Sequence, residues 1–305
     1  MRIVIMIKKK RLLFFSVIAF SIVLSVLSIL QHNKPAIDFN GQRAFLDVEY
    51  QVSLGPRTMG SEAHEKVADW IVNTLEEQGW QVETQDAFAS GQKIKNIIAK
   101  QGNGTPWLII GSHYDSRYVA DQDPDPAKRN LPVMGANDGA SSVAVLLELA
   151  RSIPKNITEQ IWLVFFDDED NGSDSGAGWG IGSDYFVSQL VGKPDGVAVL
   201  DMIGDKDLNI YMERNSNPEL TDEIWGVAKR LGYSQFIPNY KYALIDDHIP
   251  FIQAGISAVD IIDFDYPYWH TTQDTLDKIS ANSLKIVGET IRQWLLDYSD
   301  LNTTR

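Results

Sequence analysis

Several short apolar runs in this chain end in acids or imidazoles. His113 and Asp115 close the run WLIIGS; Asp167, Asp168, Glu169 and Asp170 follow WLVFF; Asp201 follows VAVL. Asp138 opens an apolar helical stretch, and His270 lies further along the chain. Any one of these acids could cap a helix or sit in solvent. Four consecutive acids at the end of a buried strand are electrostatically unfavourable unless a cation is close. As a set that converges with histidines, they suit a divalent metal. The chain has no cysteine, so no thiolate is available and zinc would rest on His, Asp and Glu alone. A metal held in this way activates a bound water or polarises a carbonyl oxygen.

The elements that must carry these residues alternate along the sequence. Val67, Trp70, Ile71 and Leu75 recur at helical spacing within 61–79, where Gly79 ends the run. Residues 94–99 and 107–110 read as strands on either side of the turn Gly102-Asn103-Gly104. Residues 141–153 form a strong helix, and 160–166 and 197–200 are nearly continuous apolar strands, as expected when both faces are covered. Helices at 184–190 and 219–231, a strand at 258–262 and a final helix at 281–298 follow. This alternation predicts a three-layer α/β/α sandwich with a mostly parallel central sheet. In such a sheet ligands bind at the carboxyl ends of the strands, which is where the acids and histidines fall.

Formal net charge is -14, from 41 acids against 27 bases. That balance repels phosphate backbones and excludes a nucleic-acid partner. At the amino terminus, Lys8, Lys9, Lys10 and Arg11 precede an uncharged run over 12–30. At 1.5 Å per residue this run spans about 28 Å, close to bilayer thickness. The expected organisation is a cytoplasmic basic tail at 1–11, a transmembrane signal anchor at 12–30, a linker at 31–45 and a catalytic domain at 46–305. The basic cluster keeps the tail inside and leaves the domain outside the cytoplasm. Secretion after signal cleavage is the alternative, although no Ala-x-Ala site closes the run.

Seven ordered motifs carry a resemblance over residues 55–298: GPRTMGS (55–61), GSHYDSR (111–117), GANDGASSVAVLLELAR (135–151), FFDDEDNG (165–172), LDMIGD (200–205), DDHIPF (246–251) and YWHTTQDT (268–275). The chain resembles metallopeptidase family 28, which contains co-catalytic zinc aminopeptidases and animal-type glutaminyl cyclases. The resemblance implies His113, Asp138, Asp170, Asp201 and His270 as zinc positions and Glu169 as the general base. It implies peptide or protein amino termini as substrate. Asp170 stands where the family usually has a second glutamate, which alters the reach of that ligand without removing its oxygen.

The resemblance also separates two chemistries. DDHIPF is close to the cyclase segment, in which the first aspartate and the LDxIG aspartate support the base; this gives Asp246 and Asp201 that role. Trp269, before the metal histidine, matches a cyclase tryptophan, and Trp179 falls near the place of a substrate-facing one. These features favour a glutaminyl-peptide cyclotransferase using one zinc. HTTQDT and the complete two-metal ligand set favour the alternative, an aminopeptidase using two. A non-catalytic, receptor-like ectodomain is the second alternative. Outside these motifs, His64 reads as a surface residue of its helix, and His248 as a structural hydrogen-bonder. Trp70, Trp162, Trp225 and Trp294 read as packing residues. Arg57 is open between a role in the fold and one at the substrate edge.

Overall fold

The computed structural model describes residues 38–89, 91–171 and 179–303. Its strands are β1 (Gln81–Ala89), β2 (Gln92–Gln101), β3 (Trp107–His113), β4 (Gln160–Phe166), β5 (Gly196–Asp201), β6 (Ile210–Met212), β7 (Phe236–Tyr240) and β8 (Ala258–Ile262). Its helices are α1 (Gly41–Ser53), α2 (Glu62–Glu77), α3 (Ala140–Ser152), α4 (Ile181–Gln189), α5 (Pro218–Leu231), α6 (Ile249–Gln253) and α7 (Ala281–Thr303). A six-stranded sheet runs in the order β1-β2-β4-β3-β5-β8, and β6 and β7 form a separate parallel pair. β4, β3, β5 and β8 are mutually parallel, whereas β1 and β2 add an antiparallel edge.

Side chains of the parallel strands alternate between two cores, as the two-residue period of a strand requires. Leu108, Ile110, Leu163, Phe165, Ala198 and Leu200 pack with α1, α2, α3, α5 and α7 on one face. Ile109, Val164, Phe166, Val197 and Val199 pack with Phe186 of α4 and Phe251 of α6 on the other. The result is a mixed α/β fold in three layers. Helix α3 lies deepest, with residues on all sides buried.

The turn at Gly102–Gly104 does not close a hairpin. β4 is inserted between β2 and β3, so the chain crosses over. From β3 the next strand, β4, goes to one side and β5 to the other. This reversal opens a crevice beyond the strands' carboxyl ends. Register places His113 level with Phe166, one residue before the acidic run, and Asp201 level with Ile262.

One boundary differs from the sequence reading. The expected linker 31–45 is already folded in its last part, since α1 begins at Gly41. Asn40 caps α1 by accepting from the Arg43 amide at 3.0 Å. Arg43 clamps the buried Glu148 of α3 through Nε and Nη2, both at 2.6 Å, so α1 docks through ions as well as apolar contacts. The basic tail, the expected anchor at 12–30 and the start of the linker lie outside the described residues. Among the described residues, no helix is long and apolar enough to cross a membrane.

Candidate metal centre

The side chains that meet at the crevice come from different elements, each ending where its chemistry is needed. His113 is the last residue of β3 and Asp201 the last of β5; Asp170 lies just beyond β4. Asp138 lies ahead of α3, and His270 in the loop after β8. Two groups result. His113, Asp138 and Asp201 offer ligand atoms within 4.8 Å of one another, and so do Asp138, Asp170 and His270. Asp138 belongs to both.

In the first group, His113 Nε2 is 3.0 Å from Asp201 Oδ1 and 3.3 Å from Asp138 Oδ1. In the second, His270 Nε2 is 2.9 Å from Asp170 Oδ1 and 3.8 Å from Asp138 Oδ2. The shorter aspartate at 170 thus still brings an oxygen against His270 and within its ligand group. Each imidazole is backed on its other nitrogen by a further carboxylate. His113 Nδ1 is 3.4 Å from Asp115, and His270 Nδ1 is 3.4 Å from Asp121. Such backing orients a ligand imidazole and fixes its tautomer.

The loops are held by buried polar contacts. Asp115 accepts from the amides of Glu169 and Asp170 at 3.2 Å each, which fixes the turn after β4. Asp274 accepts from the amides of Asn137 and Asp138 and from Tyr266. Arg57, fully buried, donates to the carbonyls of Tyr114, Met134, Gly135 and Asp138. It is a fold residue that ties together the loops bearing His113 and Asp138. Arg117 holds Asp121 through two nitrogens and donates to the Asp170 carbonyl at 2.6 Å. Asp168, Met202 and His270 are the non-glycine residues with positive φ among those described, and each flanks or belongs to the centre. Strain of this kind gathers where loop geometry is dictated by a site.

Electrostatics at the centre is dominated by burial of like charges. Burial, with Asp138 nearby, lifts the Asp170 carboxyl to about 6. Burial also lifts Asp201 to about 7, against the pull of His113. Burial opposes charge on His270, yet Asp170, Asp121 and Asp138 outweigh it and raise the imidazole to about 9. Glu169 is pushed well above the usual carboxylate range, first by burial and then by Asp246. Asp246 is itself raised, mainly by burial. Buried Asp138 Oδ2 and Asp170 Oδ2 lack hydrogen-bond partners. A donor set of oxygen and imidazole nitrogen, crowded and partly unsatisfied, fits a divalent cation such as zinc.

A cleft of about 270 Å³ opens over this centre. Glu169, Asp246, Trp179 and Trp269 line it beside Asp138, Asp170, Asp201 and His270. Trp269 stacks on His270 with ring centroids 3.8 Å apart; Trp179 lies 5.9 Å from the same ring, and the Arg117 guanidinium lies over the Trp179 ring at 5.2 Å. Of the residues singled out as catalytic, metal-binding or substrate-facing, all but His113 line this one space, and His113 stands behind it against Asp138 and Asp201. His64 is not on the surface. It is buried in α2 and bonds Asp167 at 2.7 Å, which turns that acid away from the centre. His248 is buried beside Glu213, outside both ligand groups. Asp115, Asp121 and Asp274 were missed as supporting residues. Asp115 and Asp274 fall inside quoted motifs, but Asp121 sits in a polar loop with no such signal.

The sequence profile of Peptidase family M28 matches residues 96–295. The chain belongs to this family of zinc-dependent enzymes. A glutaminyl-peptide cyclotransferase of Drosophila melanogaster is 25% identical over 289 residues, covering 80% of this chain and 78% of that protein. The glutaminyl cyclase of Porphyromonas gingivalis superposes with a TM-score of 0.80 at 35% identity, covering 86% of this chain and 99% of that one. A Zn-dependent exopeptidase from Parabacteroides distasonis gives 0.81 at 31% identity, with coverage of 86% and 99%. The protein is an enzyme of the cyclase or peptidase kind, with candidate ligands for at least one metal ion.

Proposed function

We propose that the protein is a glutaminyl-peptide cyclotransferase that converts the amino-terminal glutamine of peptides to pyroglutamate and releases ammonia. The observation that carries this reading is the placing of Glu169 next to Asp246, buried and raised in pKa, on the wall of the cleft. Cyclisation requires one group to accept a proton and later return it. A carboxyl whose affinity for protons is lifted well above the usual carboxylate range performs both halves.

Asp138, Asp170 and His270 would hold zinc, which when bound supplies Lewis-acid polarisation of the substrate's γ-carbonyl. The peptide's α-amine attacks the side-chain amide carbon, and Glu169 takes the proton this nitrogen loses. The bond from that carbon to the amide nitrogen then breaks. Glu169 returns its proton to the departing nitrogen, which leaves as ammonia, and a five-membered lactam remains. Asp246 and Asp201 keep the base in a carboxylate-rich surrounding that favours retention of the proton. Trp269 and Trp179 offer flat apolar walls to the glutaminyl side chain and exclude water that would compete with the amine.

A second reading, an aminopeptidase, is favoured by the His113–Asp138–Asp201 group, which completes a two-metal ligand set. There Glu169 would take its proton from water instead. Incubation of the zinc-loaded protein with Gln-peptides and with leucine anilides separates the two. Ammonia and pyroglutamate from the former support the cyclase, and free leucine from the latter overturns it. The basic cluster and apolar run at the amino terminus support membrane anchorage with the enzyme outside the cytoplasm. Recovery of the full chain in the soluble fraction of its host would overturn that part.

A further inference from the structure

Beside the reaction cleft lies a second one of about 280 Å³. Trp179, Ile245 and Asp246 line both, so the two spaces share a wall. The far side of the second cleft is built by α4 and α6. Asp184 and Tyr185 come from α4, and Ile249 and Pro250 from α6. Among the described residues its lining carries two carboxylates, Asp184 and Asp246, and no lysine or arginine. Asp246 is buried, whereas Asp184 is exposed. Among the described residues no cation pairs with Asp184. Ile245 is 69% exposed, large for an apolar residue on a rim between two clefts.

A peptide whose first residue occupies the reaction cleft has to carry its next residues out of it. Fully extended chain advances at most about 3.6 Å per residue, so the second and third residues emerge at the rim of that cleft. Passage over Trp179 and Ile245 leads into the second cleft. Tyr185, Ile249 and Pro250 suit the aliphatic stem of a long side chain, and Asp184 suits a cationic head. We infer that the second cleft is the subsite for the residues following the substrate's amino-terminal one, and that Asp184 selects lysine or arginine there. This rests on the reading of the first cleft as the seat of the peptide's amino terminus. Position of Asp184 in the first turn of α4 also complements the helix dipole, so the test uses the ligand's charge as its readout.

The zinc-loaded full chain carrying Glu169→Gln is titrated with Gln-Arg-Ala, Gln-Ala-Arg, Gln-Ala-Ala and Gln-Glu-Ala by calorimetry. At low salt at least one Arg peptide binds about three- to fivefold tighter than Gln-Ala-Ala, the size of an exposed ion pair, and Gln-Glu-Ala binds more weakly. Added salt compresses the spread. The chain's net charge of -14 favours cations everywhere, so the Asp184→Asn and Asp184→Lys variants are required. The first removes most of the Arg preference and the second turns it towards Glu. Equal binding of all four peptides, or a preference that survives Asp184→Asn, overturns the subsite. Turnover of Gln-peptides by the native enzyme is scored separately. Its absence alongside Asp184-dependent binding overturns the cyclase reading alone.

Discussion

Two buried clusters of histidine and carboxylate lie close together in this protein and do different things. One is the candidate metal centre at the ends of β3, β4 and β5. The other joins Glu213, His248 and Asp260, all buried. In the second cluster His248 Nε2 is 3.3 Å from Glu213, and Nδ1 is 3.8 Å from Asp260. Glu213 accepts from the amides of Asn215, Ser216 and Leu244 and from the Ser216 hydroxyl. Burial works against its charge, but His248 and these amides hold its carboxyl down at about 2. Asp260 is raised well above the carboxylate range by burial and by neighbouring acids. The closed cluster thus keeps one satisfied ion and one neutralised acid. The open cluster brings its histidines and acids into two groups whose ligand atoms lie within 4.8 Å of one another, and it faces a cleft. Composition is nearly the same in both; the spacing of ligand atoms and access to a cleft set one of them apart as the candidate metal site.

That contrast breaks if changes in the two clusters have the same consequence. The largest effect expected is from Glu169→Gln, which should lower kcat by about 10²–10⁴-fold while zinc content, read by atomic absorption, stays at the native level. Asp138→Ala removes the carboxylate common to both ligand groups. It should weaken zinc by more than the about 10–100-fold typical of outer-shell changes, as measured by chelator competition. Asp121→Asn should fall inside that range, because it loosens the backing of His270 without removing a ligand; unchanged affinity would show that Asp121 does not orient the imidazole. Glu213→Gln should instead leave zinc affinity alone and cost about 1–3 kcal/mol of stability, read by urea unfolding. Loss of zinc in that variant would erase the distinction between the clusters.

Acid–base linkage gives the smallest and most specific test. Asp170 and Asp201 are raised to about 6 and about 7, so the metal-free fold favours their protonated forms. Their contribution to stability is full below the ordinary carboxylate range and is lost as pH climbs towards 7. His270, raised to about 9, gives stability that is full below about 6.5 and lost as pH rises through 9. Both act in the same direction. The Tm of the metal-free enzyme should therefore drop between about pH 5 and 9. Zinc must displace these protons, so its stabilisation should grow over the same window and flatten the profile. A metal-free Tm that rises with pH across that window would contradict the charge balance described for the centre.

Much of the fold was legible along the chain because its strands are apolar and its helices periodic. The strands 160–166 and 258–262 match the sequence reading residue for residue, and the start of α7 does too. α1 was hidden by its polar composition, since it docks through Arg43 on Glu148 and Arg151 on Asp47 rather than through an apolar stripe alone. β1 was hidden for a related reason: it is an edge strand with few buried side chains. His64 looked like a surface residue because nothing in its helix period announces Asp167, 103 positions away.

By itself the sequence determined the kind of chemistry. Without cysteine, and with acids and histidines at the ends of apolar runs, the chain could hold a metal only through oxygen and imidazole. The ordered motifs then identified the family and a candidate base next to a candidate ligand. Tertiary structure alone decided which nitrogen of each imidazole faces inward, which carboxylates stand behind them, and which acids are turned away. It also decided that Asp138 belongs to both ligand groups and that a second cleft adjoins the first. These are matters of distance and burial between residues far apart in the chain. The strength of a charge in protein depends on both.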